Sequence, residues 1–142
     1  LRMSPTPDLQ TVHAAALAAQ KNSYSPYSKY PVGAGLLLED GSIIAGCNVE
    51  NSSYGGTICA ERNAFIAAVA QKGPLVGKFK PKLLSLITRE EAVPCGLCLQ
   101  VMSEFCAPDF PIYLGTPAGP GRAAKLKDFL PNPFTPDAQG LG

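Results

Sequence analysis

The sequence predicts an α/β fold in which a mixed sheet carries helices on both faces. Two observations predict it. Two apolar runs, 32–38 and 43–49, are joined by Glu39-Asp40-Gly41-Ser42, and Asp-Gly between strand-like runs marks a hairpin. After that hairpin, helical and strand-like patterns alternate, the order expected of helices laid on a sheet. A chain of 142 residues fits one compact domain, expected over 1–142, and buries a core without disulfide staples.

The elements follow in order. A first helix is expected over 7–21, with Thr6 or Asp8 near its cap and Leu9, Val12, Ala16 and Leu17 on one face. Residues 22–31, carrying Tyr24, Pro26, Tyr27 and Tyr30, read as a structured loop before the hairpin. Residues 51–57 are polar and Gly-containing, so they form another loop. The Ala-rich stretch 60–71 is a helix closed by Gly73 and Pro74. A buried strand over 82–88 leads to a helix opened by Pro94 and running to Phe105. A short strand over 111–115 comes next, then a helical turn over 123–130 stopped by Pro131 and Pro133.

Composition excludes several classes of function. The formal net charge is +1 and the basic residues are dispersed, whereas a nucleic-acid polymer demands clustered Lys and Arg. No apolar run approaches membrane-spanning length, and residues 1–10 hold no signal-peptide core. A cytoplasmic protein is expected. Five cysteines, at 47, 59, 95, 98 and 106, are an odd number that includes one C-x-x-C pair. That pattern points to metal or redox chemistry before a disulfide framework.

The chemistry concentrates in Cys59-Ala60-Glu61-Arg62 and Pro94-Cys95-Gly96-Leu97-Cys98. Each segment opens a helix, and a helix N-terminus favours thiolate over thiol. Cys95 and Cys98 stand one turn apart, and Cys59 adds a third soft ligand for Zn2+. Three protein ligands with an open fourth position describe a catalytic zinc. A redox pair or half of a structural four-cysteine site are the alternatives. The first lacks a thioredoxin-like strand before it, and the second lacks a well-placed fourth ligand among Cys47, Cys106 and His13.

Glu61 has a role only at an open zinc, where a carboxylate takes and returns a proton. Two residues apart in a regular helix, Cys59 and Glu61 would diverge; the conflict vanishes if Cys59 stands at the helix boundary. Arg62 is placed to donate to the thiolates and offset their charge.

Cys-Ala-Glu followed by Pro-Cys-x-x-Cys resembles the zinc-dependent nucleobase and nucleoside deaminases. The likeness to the small homotetrameric cytidine deaminases extends over nearly the whole chain. It includes Tyr24-Ser25-Pro26-Tyr27-Ser28-Lys29-Tyr30, Val32-Gly33-Ala34, Asn48-Val49-Glu50-Asn51, and Leu130-Pro131 with Phe134. The resemblance implies a three-layer α/β/α sandwich with a mixed sheet of about five strands, one Zn2+ per chain and a homotetramer. It implies hydrolysis of cytidine and 2′-deoxycytidine at C4, with Glu61 carrying the proton to N3 and the Ala60 N–H meeting the base carbonyl. Asn48 and Glu50 would bind the ribose, Tyr30 (usually Phe in the family) would pack beside sugar and base, and Tyr54 and Phe134 would arrive from neighbouring subunits.

The bland readings are core packing for Tyr30 and Phe134, a turn residue for Asn48 and a surface charge for Glu50. Cys47 and Cys106 are expected as small buried apolar residues, and His13 as a partly exposed helix residue. Leu99 departs from the family pattern, which places Arg there. Spacing sets it on a stripe with Cys95, Met102 and Cys106, so burial is expected. Other readings of the same zinc motif are a deaminase of a nucleoside antibiotic such as blasticidin S, a polynucleotide deaminase, and a zinc-stabilised binding domain without catalysis.

Overall fold

The computed structural model describes residues 7–135. A five-stranded sheet runs in the order β2-β1-β3-β4-β5, formed by Ile43–Cys47, Gly33–Leu38, Pro81–Ile87, Pro111–Thr116 and Gly119–Lys125 respectively. β3 and β4 are parallel and the other neighbours antiparallel, so the sheet is mixed. The expected hairpin is present: β1 pairs with β2 from Gly33–Cys47 to Leu37–Ile43, and Gly41 turns it at φ 90°.

Helices cover both faces. α1 (Pro7–Gln20) sets Leu9 and Val12 on Leu37 and Leu83 of one face. α2 (Ala60–Lys72) and α3 (Gly96–Phe105) cover the other, where Ala64, Phe65, Cys98 and Met102 join Leu36, Leu84, Leu86 and Ile112 in the larger core. Every residue of β1 is buried, as expected of a strand covered on both sides. Glycine permits the close approach of both layers. A Cβ on Gly33 would lie 2.0 Å from the Ala16 carbonyl oxygen, and one on Gly46 would lie 2.6 Å from the Ala64 nitrogen. The second contact presses α2, and the residues at its start, directly onto β2.

Four expectations are corrected. Residues 123–130 are not one helical turn: Ala123 and Ala124 belong to β5, paired with Tyr113 and Ile112, and α4 spans Leu126–Phe129. The Asp128 carboxylate accepts from the Lys125 N–H and fixes where α4 begins. α3 starts at Gly96, with Cys95 rather than Pro94 at its boundary. His13 is buried against the sheet, not partly exposed. Cys47 and Cys106 are half-buried. Of the two candidate caps of α1, Thr6 lies outside the described residues.

The ladder ends fix the position of the site. Cys47 pairs with Gly33, Gly33 with Ile87 and Ile87 with Gly115, so all four mark one end of the sheet. The segments 22–32, 48–59 and 88–95 leave from that end and converge there.

Candidate metal centre and active-site cavity

Cys59 and Cys95 occupy equivalent places. Each is the boundary residue of its helix with extended backbone, φ −70° and ψ 158° for Cys59, φ −73° and ψ 165° for Cys95. Cys59 is therefore outside regular helix geometry, which removes the conflict between it and Glu61. The residue three further on returns to the same side of each helix. After Cys59 it is Arg62, whose Nη2 donates to the Cys59 sulfur at 3.5 Å. After Cys95 it is Cys98, whose sulfur joins the other two.

The three sulfurs lie within 4.8 Å of one another, and Cys59 to Cys95 is 3.7 Å. Tetrahedral ligands about 2.3 Å from a common zinc are about 3.8 Å apart, so the donor set and its spacing fit that metal. The electrostatics fit as well. The hydrogen bond from Cys98 and those from Arg62 and Cys95 hold the Cys59 thiol well below the usual thiol range. Cys98 is pushed up by that same hydrogen bond to Cys59 and by burial, so without metal the pair shares a proton that zinc binding would release. Arg62 is held firmly in its charged form by Cys59.

Glu61 is 4% exposed, and burial, with the negative charge of Cys59, pushes its carboxyl up to about 7. Ala60, fully buried, precedes it at the start of α2. A cavity of about 350 Å3 opens over these groups; Cys59, Glu61 and Cys95 form part of its lining, and Tyr30, Asn48, Glu50 and Thr88 form another part. The chain segments that supply them are tied together. Val49 and Ile58 exchange both backbone hydrogen bonds at 3.0 Å, fastening the Asn48–Glu50 segment to the approach to Cys59. Asn63 Nδ2 donates to the Cys47 carbonyl at 2.8 Å and locks α2 to the end of β2.

The cavity is thus metal-adjacent at one side and polar at another. Asn48 is 8% exposed; its Oδ1 accepts from the Val32 N–H at 2.9 Å and from the Ser23 hydroxyl, and its Nδ2 donates to the Tyr30 carbonyl at 2.9 Å. The Glu50 carboxylate accepts from the Ser28 hydroxyl and from the N–H groups of Ser28 and Tyr27, bonds that hold it below the usual carboxylate range.

The family described as cytidine and deoxycytidylate deaminase zinc-binding region matches residues 6–114. The chain belongs to that family. A cytidine deaminase of Sporosarcina psychrophila is 42% identical over 90% of this chain and 92% of its own. One from Halalkalibacterium halodurans is 39% identical, over 90% and 95% respectively. The crystal structure of cytidine deaminase from Burkholderia pseudomallei superposes with a TM-score of 0.79 at 37% identity, covering 87% of this chain and 97% of that one. The Mycobacterium tuberculosis structure gives 0.74 at 33%, covering 92% and 99%. The protein is a zinc-binding deaminase, and among the described residues Cys59, Cys95 and Cys98 are the one cluster able to hold the metal.

Ala60, Arg62 and Cys98 adjoin the lining residues without lining the cavity themselves, and two further expected site residues stand apart from it. Tyr54 is 74% exposed and lines a second cavity of about 290 Å3 with Tyr27, Ser28, Glu50 and Thr57. Phe134 is exposed beside α3, where its backbone carbonyl and N–H pair with the Gln100 side-chain amide. Sequence reasoning missed Ser28, Thr57, Thr88, Ala92 and Val93, all on the wall of the larger cavity. Their types carry no signal; only Ser28, next to a Pro-Tyr turn, offered a polar group to the carboxylate at 50.

Proposed function

We propose that this protein hydrolyses cytidine and 2′-deoxycytidine to uridine and 2′-deoxyuridine with release of ammonia, as a cytoplasmic pyrimidine-salvage enzyme. The observation that carries this reading is Glu61, a buried carboxyl at about 7 beside three convergent sulfurs in a cavity that also holds Asn48 and Glu50. A group with that pKa both accepts and donates protons near neutrality. Bound zinc lowers the pKa of water towards 7 and so supplies the nucleophile.

The chain's own residues do the remainder. Cys59, Cys95 and Cys98 hold the zinc, and Arg62 offsets the thiolate charge. Glu61 removes a proton from water and delivers it to N3 of the base as the hydroxide adds to C4; it then carries the proton of the new C4 hydroxyl to the amine, which leaves as ammonia as the C4 carbonyl forms. The Ala60 N–H at the start of α2 meets the base carbonyl. Asn48 and Glu50 hold the sugar hydroxyls, and Tyr30 packs beside the sugar and base. Neither cavity is lined by a Lys or Arg among the described residues, while Glu50 lines both. That charge pattern favours a neutral nucleoside over a nucleotide or a polynucleotide strand.

The residues 1–142 work as one catalytic domain, and four copies assemble. Exposed Ile66 and Val69 of α2 flank an apolar groove shared with Val101 and Phe105 of α3, and Leu97 is exposed nearby. Tyr54 and Phe134, both strongly exposed in one chain, complete neighbouring pockets in the tetramer.

An ultraviolet assay of zinc-loaded protein with cytidine, deoxycytidine, free cytosine and a cytosine-containing oligonucleotide tests this reading. Both nucleosides are expected to be consumed, with cytosine and the oligonucleotide far poorer. Comparable kcat/KM for cytosine and cytidine refutes the sugar roles, and no turnover of either nucleoside refutes the function.

A further inference from the structure

Two segments that bound the larger cavity leave the sheet side by side. The β1–β3 ladder stops where Gly33 pairs with Ile87, so residues 28–32 arrive and residues 88–93 depart at adjacent points. The first contributes Ser28, Tyr30 and Val32 to the cavity wall, and the second contributes Thr88, Ala92 and Val93. Cys95 follows two residues after Val93.

Tyr30 spans the gap between them. Its hydroxyl donates to Glu90 Oε1 at 2.5 Å, and the Arg89 guanidinium sits 4.7 Å from its ring centroid, within cation–π range. Two further contacts shape the 88–93 segment. The Ala92 N–H donates to Thr88 Oγ1 at 2.8 Å, and Glu91, in the left-handed region at φ 58°, accepts from the Arg122 N–H at 3.3 Å. The Tyr30 contacts with Arg89 and Glu90, and a side-chain hydrogen bond with Thr88, join this segment to the opposite wall.

We propose that Tyr30 is a positioning residue: its ring and hydroxyl clasp Arg89 and Glu90, holding 88–93 where Ala92 and Val93 form a closed wall beside Cys95. The clasp rests on the reading of this cavity as the nucleoside site. Released from Tyr30, the wall samples arrangements that do not fit a flat base, and apparent affinity falls by the fraction of time it is misplaced. Glu61, Cys59 and Cys98 are placed by α2 and α3, and Cys95 is fixed as the boundary residue of α3, so the loss falls on KM rather than on the proton-transfer step.

The test uses full-length, zinc-loaded protein in four variants: Tyr30→Phe, Glu90→Ala, their combination, and Glu90→Gln. Removing either partner of one hydrogen bond is expected to raise KM for cytidine about fivefold. The combined variant is expected to match Tyr30→Phe, which already removes the Glu90 contact along with the bond to Thr88. Glu90→Gln keeps an acceptor oxygen and is expected to restore most of the affinity. Hydrogen exchange at the Ala92 amide, which needs no substrate, is expected to quicken in Tyr30→Phe and Glu90→Ala. Unchanged exchange and KM in Tyr30→Phe, or KM effects that multiply in the combined variant, overturn the clasp. Failure of the unaltered protein to deaminate cytidine overturns the nucleoside reading instead, and the exchange measurement still decides the clasp.

Discussion

Arg62 donates to the Cys59 sulfur at 3.5 Å from three residues along, the same step that separates Cys98 from Cys95. In the proposed centre one helix start therefore supplies a ligand and a counter-charge, and the other supplies two ligands. Zn2+ with three thiolates carries a charge of −1, which opposes ionisation of water; a guanidinium donating to sulfur withdraws part of that charge. Arg62→Ala is expected to weaken zinc retention or turnover by ~10–100-fold. Competition with a chelator, followed by kinetics at saturating zinc, separates the two effects. A variant that matches the parent in both measurements removes Arg62 from the metal's support.

Glu61→Gln preserves the shape of the buried side chain and removes the proposed base. Zinc content and melting temperature are expected to hold, while kcat for cytidine falls by ~10²–10⁴-fold. Near-normal kcat would show that another group moves the proton.

Leu99 is 6% exposed and belongs to the core beside Met102 and Cys98. Its burial matches the stripe read from spacing, although Cys95 at the head of that stripe is exposed as the cap of α3. Leu99→Arg would place an unpaired charge in that core, at a cost of several kcal/mol. A fall in Tm of roughly 10 °C is expected in a thermal melt, from about 3 °C per kcal/mol for a domain of this size. An unchanged Tm would mean that the guanidinium escapes to solvent.

The parts that sequence makes legible are those where local chemistry agrees with tertiary structure. Asp40-Gly41 turns the hairpin because glycine accepts φ 90° there, and the Asp40 side chain bonds Ser42. Cys59 stands at its helix boundary because β2 and the Val49–Ile58 bridge deliver the chain extended to that point. β5 is not legible. Gly119-Pro120-Gly121 carries no alternating apolar pattern, and the two alanines that follow favour a helix when taken alone. The ladder to β4, a long-range partner, decides the matter. The same applies to Gly33 and Gly46, whose lack of a side chain matters only once α1 and α2 lie on them.

His13 departs from its expected exposure for a related reason. It adjoins Val12, which packs on the sheet, and its Nδ1 is buried with no hydrogen-bond partner among the described residues. Burial lowers its pKa below the usual 6.5. Protons then bind the unfolded chain more tightly, so the contribution of neutral His13 is fully present above about 6.5 and declines as pH falls below it. Urea midpoints measured between pH 7.5 and 5.5 are expected to fall, and to fall less in His13→Leu. Parallel declines in the two proteins would assign the acid sensitivity elsewhere.

Asn48 combines a brace with a candidate sugar contact, and one substitution separates the two. Its Oδ1 takes the Val32 N–H and the Ser23 hydroxyl, and one of its two Nδ2 hydrogens goes to the Tyr30 carbonyl. The second hydrogen remains for a ligand acceptor, such as a ribose hydroxyl oxygen. Asn48→Asp keeps the size and both acceptor contacts but sets a carboxylate oxygen against the Tyr30 carbonyl and removes the free donor. The brace predicts a lower Tm in the protein without substrate, since a buried carbonyl loses its partner at a cost of about 1–3 kcal/mol. The sugar contact predicts something the brace does not: a reduced preference for cytidine over free cytosine. A site that hydrogen-bonds a hydroxyl rejects the ligand lacking it because its own groups are then left unpaired. Without the Asn48 donor that penalty shrinks, so kcat/KM for cytidine should fall by more than that for cytosine. Equal losses for the two substrates would leave Asn48 as the brace of the Tyr30–Val32 segment and transfer sugar recognition to Glu50 alone.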